Sequence, residues 1–90
     1  MHRQVKALFS GRVQGVGFRF TAELLARRFP VTGYVKNLSN SKVELVAEGE
    51  EDMVREFIKA VESEMAHYIR HAEMNWSGPE GKYQRFGIAP

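Results

Sequence analysis

A glycine-rich stretch followed at once by an arginine is the part of this sequence best suited to chemistry. Residues 11–19 read GRVQGVGFR, with an alternating apolar stretch before them and apolar residues spaced by three and four after them. Glycines between a predicted strand and a predicted helix allow the backbone to approach a ligand closely, and successive N–H groups in such a turn can surround an anion. The first turn of the helix adds further free N–H groups and a partial positive charge. The pattern therefore predicts an anion site at this turn.

Arg19 falls in the first turn of the predicted helix, where a positive side chain is unfavourable by about 0.3–1 kcal/mol. A bound phosphate would explain its presence, because a guanidinium can bind phosphate opposite the backbone N–H groups. The second predicted helix differs, since it opens with the acidic residues Glu50, Glu51 and Asp52, as the helix dipole favours. The alternative is that Arg19 pairs with Glu23 one turn later, and spacing alone leaves both interpretations open.

Asn37 is a second candidate because it stands near the end of a predicted strand. Asparagine at such a position commonly begins a turn. Its amide could instead hold a water molecule or a substrate oxygen beside a bound phosphate. The residue by itself does not decide between these two roles.

The apolar patterns predict two helices and five strands. Apolar residues spaced by three and four predict a first helix from Phe18, with Arg27 and Arg28 in its last turn and Pro30 after it. The same spacing from Val54 to Met65 predicts the second helix. Alternating residues predict strands over residues 3–12, 31–38, 42–48, around 71–76 and over 83–88.

This order predicts an α+β sandwich of the ferredoxin-like, split βαβ type, βαββαβ with a short additional C-terminal strand. We expect an antiparallel sheet with both helices on one face. In this topology the first two strands are parallel, with the third between them, so their ends lie at the same edge. The glycine-rich loop follows the first strand and Asn37 ends the second, so we expect the loop, Arg19 and Asn37 to converge.

The composition predicts one domain over residues 1–90. Apolar residues make up 43% and charged residues 27%, which is ordinary for a globular chain, and a net charge of +2 does not indicate a nucleic-acid partner. The chain has no cysteine and no apolar segment long enough to cross a membrane. His67 and His71 have a metal-ligand spacing but no third ligand nearby. We expect a cytoplasmic protein without a metal, a cofactor or a membrane partner.

The sequence resembles the acylphosphatase family over essentially its whole length. The resemblance rests on GRVQGVGFR at residues 11–19, TGYVKN at 32–37, VELVAEG at 43–49 and the terminal Phe86-Gly87-Ile88. It implies a ferredoxin-like fold and a small, monomeric, metal-free hydrolase of acyl phosphates, with inorganic phosphate as product and competitive inhibitor. It also implies that Asn37 orients the attacking water, and that phosphate is bound by Val13, Gln14, Gly15, Val16, Gly17, Phe18 and Arg19.

The sequence departs from the family pattern at two places. Asn40-Ser41 stand in the hairpin where the family often has Asp-Gly, and Phe29-Pro30 stand where a helix end often carries glycine. Asparagine adopts a left-handed backbone conformation readily, whereas serine does so reluctantly. We expect consequences for stability or loop order before consequences for chemistry.

The chemistry of an acyl phosphate suits these residues, because its carboxylate leaving group departs without a general acid. Such a reaction needs positioning and charge stabilisation more than covalent work by the protein. No His, Asp or Glu lies in the loop or beside Asn37, so we expect the water proton to pass to a phosphate oxygen.

Two other functions stay open from the sequence. One is an RNA-binding module of the same fold, although the third strand has no aromatic residue and carries Glu44 and Glu48. The other is an anion site that binds phosphate or carbamoyl phosphate for regulation, without turnover.

Overall fold

In the computed structural model, residues 1–90 form five strands and two helices. The strand order in the sheet and the packing of the helices determine which loops meet at one edge. In chain order the elements are β1 His2–Gly11, α1 Phe18–Ala26, β2 Thr32–Asn37, β3 Val43–Glu50, α2 Glu51–Glu64, β4 Ile69–Ser77 and β5 Phe86–Ile88.

The sheet has the order β4-β1-β3-β2-β5, with β3 between β1 and β2. Because β3 is antiparallel to both neighbours, β1 and β2 run parallel, as the split βαβ topology requires. The C-terminal ends of β1 and β2 therefore lie at the same edge of the sheet, and the predicted ferredoxin-like fold is confirmed.

The sheet is mixed rather than wholly antiparallel, because β5 runs parallel to β2, with Val35 opposite Ile88. This strand begins at Phe86, three residues later than the alternating pattern predicted. The backbone N–H groups of Glu80 and Gly81 donate to the Glu48 carboxylate instead of to a strand. The preceding segment is thus held by a side chain, and only the last residues pair with the sheet.

One apolar core lies between the sheet and both helices, which cover the same face. Alternate residues of β1 and β3 point into this core, and both helices contribute the stripes that their spacing predicted. The buried residues of these four elements in the core are Val5, Ala7, Phe9, Val43, Leu45, Ala47, Phe18, Ala22, Leu25, Ala26, Val54, Phe57, Ile58 and Val61. Neither helix has the length and apolar content that a membrane-spanning helix requires.

The first helix ends at Ala26, before the arginines that were predicted to close it. The N–H groups of Arg27, Arg28 and Phe29 donate to carbonyls three residues earlier, at 3.0–3.3 Å. Such bonds belong to a tighter turn than the α-helix, and Pro30 disfavours a helical conformation at the residue before it. The chain therefore leaves the helix as a tight turn.

Candidate active site

The loop after β1 leaves the sheet through a bulge. The register against β4 shifts between Ser10 and Gly11. Gly11 has φ 126°, and a Cβ atom there would lie 2.4 Å from the carbonyl oxygen of Tyr68, so only glycine fits. The N–H of Arg12 donates to the same oxygen at 2.9 Å, which holds the beginning of the loop in place.

The loop and the first turn of α1 present backbone N–H groups that have no acceptor within the chain. None of the N–H groups from Val13 to Phe20 donates a hydrogen bond to another part of the protein. Gly15 and Gly17 have φ angles of 77° and 80°, and Gly17 precedes the helix without a side-chain cap. A bound anion would accept hydrogen bonds from such donors and interact favourably with the helix dipole.

Arg19 is partly buried and forms no ion pair with any acidic residue, Glu23 included. The first turn of α1 contains no acidic residue, whereas that of α2 contains Glu51 and Asp52. Glu50 lies just before α2, and its carboxylate binds the amino terminus at 2.7 Å. The pairing of Arg19 with Glu23, which spacing alone had left open, is not formed.

Asn37 ends β2, where its backbone is paired with Val43 of β3. Its partly buried side chain makes no hydrogen bond within the chain, whereas Asn40 Oδ1 accepts one from the N–H of Lys42 at 3.1 Å. The turn-forming role that the sequence allowed for Asn37 therefore belongs to Asn40. The Asn37 amide is left free to bind another group.

A cavity of about 260 Å³ brings Arg19 and Asn37 together, although 18 positions separate them in the sequence. A larger cavity, of about 610 Å³, lies along α2 and β4 and contains none of the predicted site residues. The smaller cavity is lined by Val13, Gly15, Gly17, Phe18, Arg19, Phe20, Asn37 and Ile88.

Gln14 and Val16 belong to the predicted loop but do not line this cavity. The Gln14 side chain turns to the hairpin after Asn37, where its Nε2 donates to the carbonyl oxygens of Leu38 and Lys42 at 2.8 and 2.9 Å. Val16 packs against the core. A contribution of these two residues to anion binding would come from their backbone N–H groups.

Phe20 and Ile88 line the cavity but were not among the predicted site residues. The sequence does contain a signal for Phe20, which is an apolar residue outside the apolar stripe of the helix, since it stands two positions after the buried Phe18. Ile88 has no local signal, since it reaches the cavity through the pairing of β5 with β2.

The cavity lining contains one cation, Arg19, and no Asp, Glu or His. Its polar groups can therefore hold an anion and orient a neutral molecule, but no side chain of the lining can accept a proton as a carboxylate or imidazole. The molecule has no group of three or more His, Cys, Asp or Glu residues arranged to hold a metal ion.

Comparison with known proteins points to one family. The sequence model of the acylphosphatase family matches residues 5–88. An acylphosphatase of Dehalococcoides mccartyi is 40% identical over 86 residues, which is 93% of this chain and 94% of that relative. An acylphosphatase of Lactobacillus gasseri is 37% identical over 81 residues, which is 88% of this chain and 89% of that relative. The crystal structure of acylphosphatase from Bacillus subtilis superposes with a TM-score of 0.87 at 30% identity, covering 98% of this chain and 99% of that one.

Proposed function

The chain belongs to the acylphosphatase family, and we propose that residues 13–19 and Asn37 form its active site. Its reaction is the hydrolysis of small-molecule acyl phosphates to a carboxylate and inorganic phosphate. One observation carries the assignment of the site. An unpaired arginine, a run of backbone N–H groups without acceptors and a free amide meet at a single cavity.

In this proposal the phosphoryl group lies on the backbone N–H groups of the loop and of the first turn of α1. The Arg19 guanidinium binds the remaining phosphate oxygens, and its charge compensates the negative charge of the transition state. The unfavourable place of Arg19 at a helix N-terminus is thereby offset by the bound phosphate.

The Asn37 amide holds the attacking water in line with the bond that breaks. Water oxygen bonds to phosphorus while the bond from phosphorus to the carboxylate oxygen breaks, and the carboxylate departs with the electron pair. The water proton passes to an oxygen of the phosphoryl group, because no side chain of the lining can accept it. Starting from the acyl phosphate dianion and water, the products are the carboxylate and dihydrogen phosphate, since one water proton stays on the attacking oxygen and the other moves to a phosphoryl oxygen, so atoms and charge balance.

The proposal is tested by the release of phosphate from benzoyl phosphate, which separates turnover from simple anion binding. We expect Arg19→Gln to remove most of the activity and to weaken competitive inhibition by inorganic phosphate. The melting temperature should stay the same or rise slightly, since a cation is removed from the helix N-terminus. Wild-type turnover and phosphate inhibition in this variant would place the site elsewhere.

Arg28→Gln is the matched control, because Arg28 is exposed near the other end of α1 and forms no ion pair. It removes the same charge outside the cavity, so turnover and phosphate inhibition should not change. A loss of activity equal to that of Arg19→Gln would mean that overall charge, rather than a site, is responsible.

We also propose that residues 1–90 act as one domain, as a monomer in the cytoplasm, without a cofactor, a nucleic-acid partner or a membrane partner. The modest net charge of +2 supports a small-molecule substrate over a polyanionic partner. Hydrolysis should survive dialysis against a chelator, and size-exclusion chromatography should give the mass of one chain. Activity that is lost on chelation and returns with a divalent ion would reject the metal-free mechanism.

A further inference from the structure

The rim of the proposed phosphate site carries two apolar side chains that take no part in the core. Phe20 is 61% exposed and Ile88 is 44% exposed, and both line the cavity with Arg19 and Asn37. The other apolar side chains of the lining, Val13 and Phe18, are buried. Exposing an aromatic ring and a branched aliphatic chain to water is unfavourable, and neither residue belongs to the buried core of this fold.

The fold brings these two side chains to the cavity from separate elements. Phe20 directly follows Arg19 in the first turn of α1. Ile88 ends β5 and is paired with Val35, two residues before Asn37 on β2. The cavity lining therefore combines polar groups, namely N–H groups, the guanidinium and the amide, with two exposed apolar side chains, Phe20 and Ile88.

We propose that Phe20 and Ile88 bind the acyl group of the substrate, so that the enzyme prefers acyl phosphates with an apolar chain of several carbons over acetyl phosphate. The inference rests on the proposed phosphate site. An acyl phosphate has a charged end and an apolar end, and the lining of this cavity offers groups suited to each. With the phosphoryl group on the loop and Arg19, the exposed apolar surface left for the chain is that of Phe20 and Ile88.

The test compares kcat/KM for acetyl, butanoyl and hexanoyl phosphate, whose parent acids are similar in strength and differ in apolar length. A methylene that is half removed from water contributes about twofold, so the four additional methylenes of hexanoyl phosphate should give it a preference of about 15-fold over acetyl phosphate. Phe20→Ala and Ile88→Ala should reduce this preference, whereas Phe20→Leu should retain most of it. Inhibition by inorganic phosphate should not change, because phosphate has no acyl group.

Leu24→Ala is the matched control, since Leu24 is 40% exposed one turn further along α1 and lies outside the cavity. It should leave the preference for hexanoyl phosphate unchanged. The acyl subsite would be overturned if the wild-type ratio of kcat/KM for hexanoyl over acetyl phosphate were near one, or if this ratio were unchanged in Phe20→Ala and Ile88→Ala. Either result would leave the proposed function intact. Absence of hydrolysis for all three substrates would reject the proposed function and the subsite with it.

Discussion

Asn37 and Asn40 belong to the same hairpin, but their side chains have different surroundings. Asn40 Oδ1 accepts a hydrogen bond from the N–H of Lys42, whereas the Asn37 amide has no partner in the chain and lines the cavity with Arg19. The two asparagines therefore form a natural pair for separating a structural role from a catalytic one.

We expect Asn37→Ala to lower kcat by about 100-fold, the usual loss for one oriented polar group at a reacting centre. KM and inhibition by phosphate should change little, because in the proposed site the phosphoryl group is held by Arg19 and the loop. The melting temperature should not change, since no hydrogen bond within the chain is lost. Steady-state kinetics and thermal unfolding of the same preparation measure all three quantities.

Asn40→Ala should show the opposite behaviour, with kcat retained and stability lowered by about 0.5–1.5 kcal/mol for the lost hydrogen bond. An Asn37→Ala variant that melts early but keeps its kcat would return Asn37 to a structural role. It would leave the attacking water without a side-chain partner.

The loop between β1 and α1 is connected to the β2–β3 hairpin by one side chain, that of Gln14. Gln14 Nε2 donates to two carbonyl oxygens of the hairpin, those of Leu38 and Lys42. These bonds set the position of the loop relative to the strand end that carries Asn37. Gln14 is thus a positioning residue in the proposed site, although its side chain does not line the cavity.

We expect Gln14→Ala to lower kcat by about tenfold or more, because small displacements of reacting groups are costly to rate. Inhibition by phosphate should weaken less than kcat falls, since Arg19 and the loop N–H groups remain. Gln84→Ala is the control, as Gln84 is exposed and makes no side-chain hydrogen bond. Equal losses in kcat and in phosphate affinity would mean that the loop itself is disrupted and that the connection has no specific role.

The same hairpin contains Ser41, the one residue other than glycine with a positive φ, at 73°. Its N–H donates to the carbonyl oxygen of Leu38 at 3.3 Å, so the turn closes despite the strained conformation. The departure from the family pattern at Asn40-Ser41 therefore does not prevent the turn from forming. With serine at this position, the left-handed conformation destabilises the folded state more than it would with glycine.

We expect Ser41→Gly to stabilise the protein by about 0.5–1 kcal/mol, because relief of the left-handed conformation exceeds the entropy that glycine adds to the unfolded chain. Ser39→Gly, in the same turn but without a positive φ, should be destabilising by a similar amount. Chemical denaturation of both variants gives the two free energies of unfolding. If Ser41→Gly and Ser39→Gly both stabilise the protein, or if neither does, the inference that the backbone is strained at Ser41 is wrong.

One buried carboxylate, that of Glu48, connects the sheet to the segment before β5. Glu48 is buried on β3, and its oxygens accept hydrogen bonds from Gln4 Nε2 and from the N–H groups of Glu80 and Gly81. Burial alone would raise the pKa of the Glu48 carboxyl, but these three hydrogen bonds together with the charge of Lys82 hold it below its usual value. The ionised form therefore stabilises the fold.

The pH dependence follows from the direction of this shift. The pKa of Glu48 is lower in the folded than in the unfolded state. Its contribution to the free energy of unfolding is therefore complete at pH values above the pKa of the unfolded state, and it is lost as the pH falls through the pKa of the folded state. Glu48→Gln should cost about 1–3 kcal/mol near neutral pH, because an amide cannot accept all of these hydrogen bonds. The difference in melting temperature from the wild type should narrow in acid.

Glu64→Gln is the control for this prediction, since Glu64 is exposed at the end of α2 and forms no ion pair. Its melting temperature should follow that of the wild type at every pH. If the difference in melting temperature between Glu48→Gln and the wild type stays constant from neutral to acid pH, the Glu48 side chain stabilises the fold by its shape rather than by its charge.

Much of the proposed site could be predicted because its features act through neighbouring residues. The glycines around residue 15 determine the turn locally, and the position of Arg19 relative to the helix start is a matter of spacing. The buried faces of β1 and β3 follow from alternation. Even the convergence of Arg19 and Asn37 could be predicted, since a split βαβ unit places the ends of its parallel strands at one edge.

The features that depend on contacts between distant segments could not be predicted from local patterns. The pairing of β5 with β2 brings Ile88 to the cavity, and the acceptors of Gln14 lie 24 and 28 positions along the chain. The sequence shows Glu48 only as a charged residue in a strand, because the N–H groups that donate to its carboxylate belong to Glu80 and Gly81, which lie 32 and 33 positions later. Local propensity reflects the energy of a few neighbouring residues, whereas these contacts form only when the whole sheet has its register, and that register is set by the packing of the shared core.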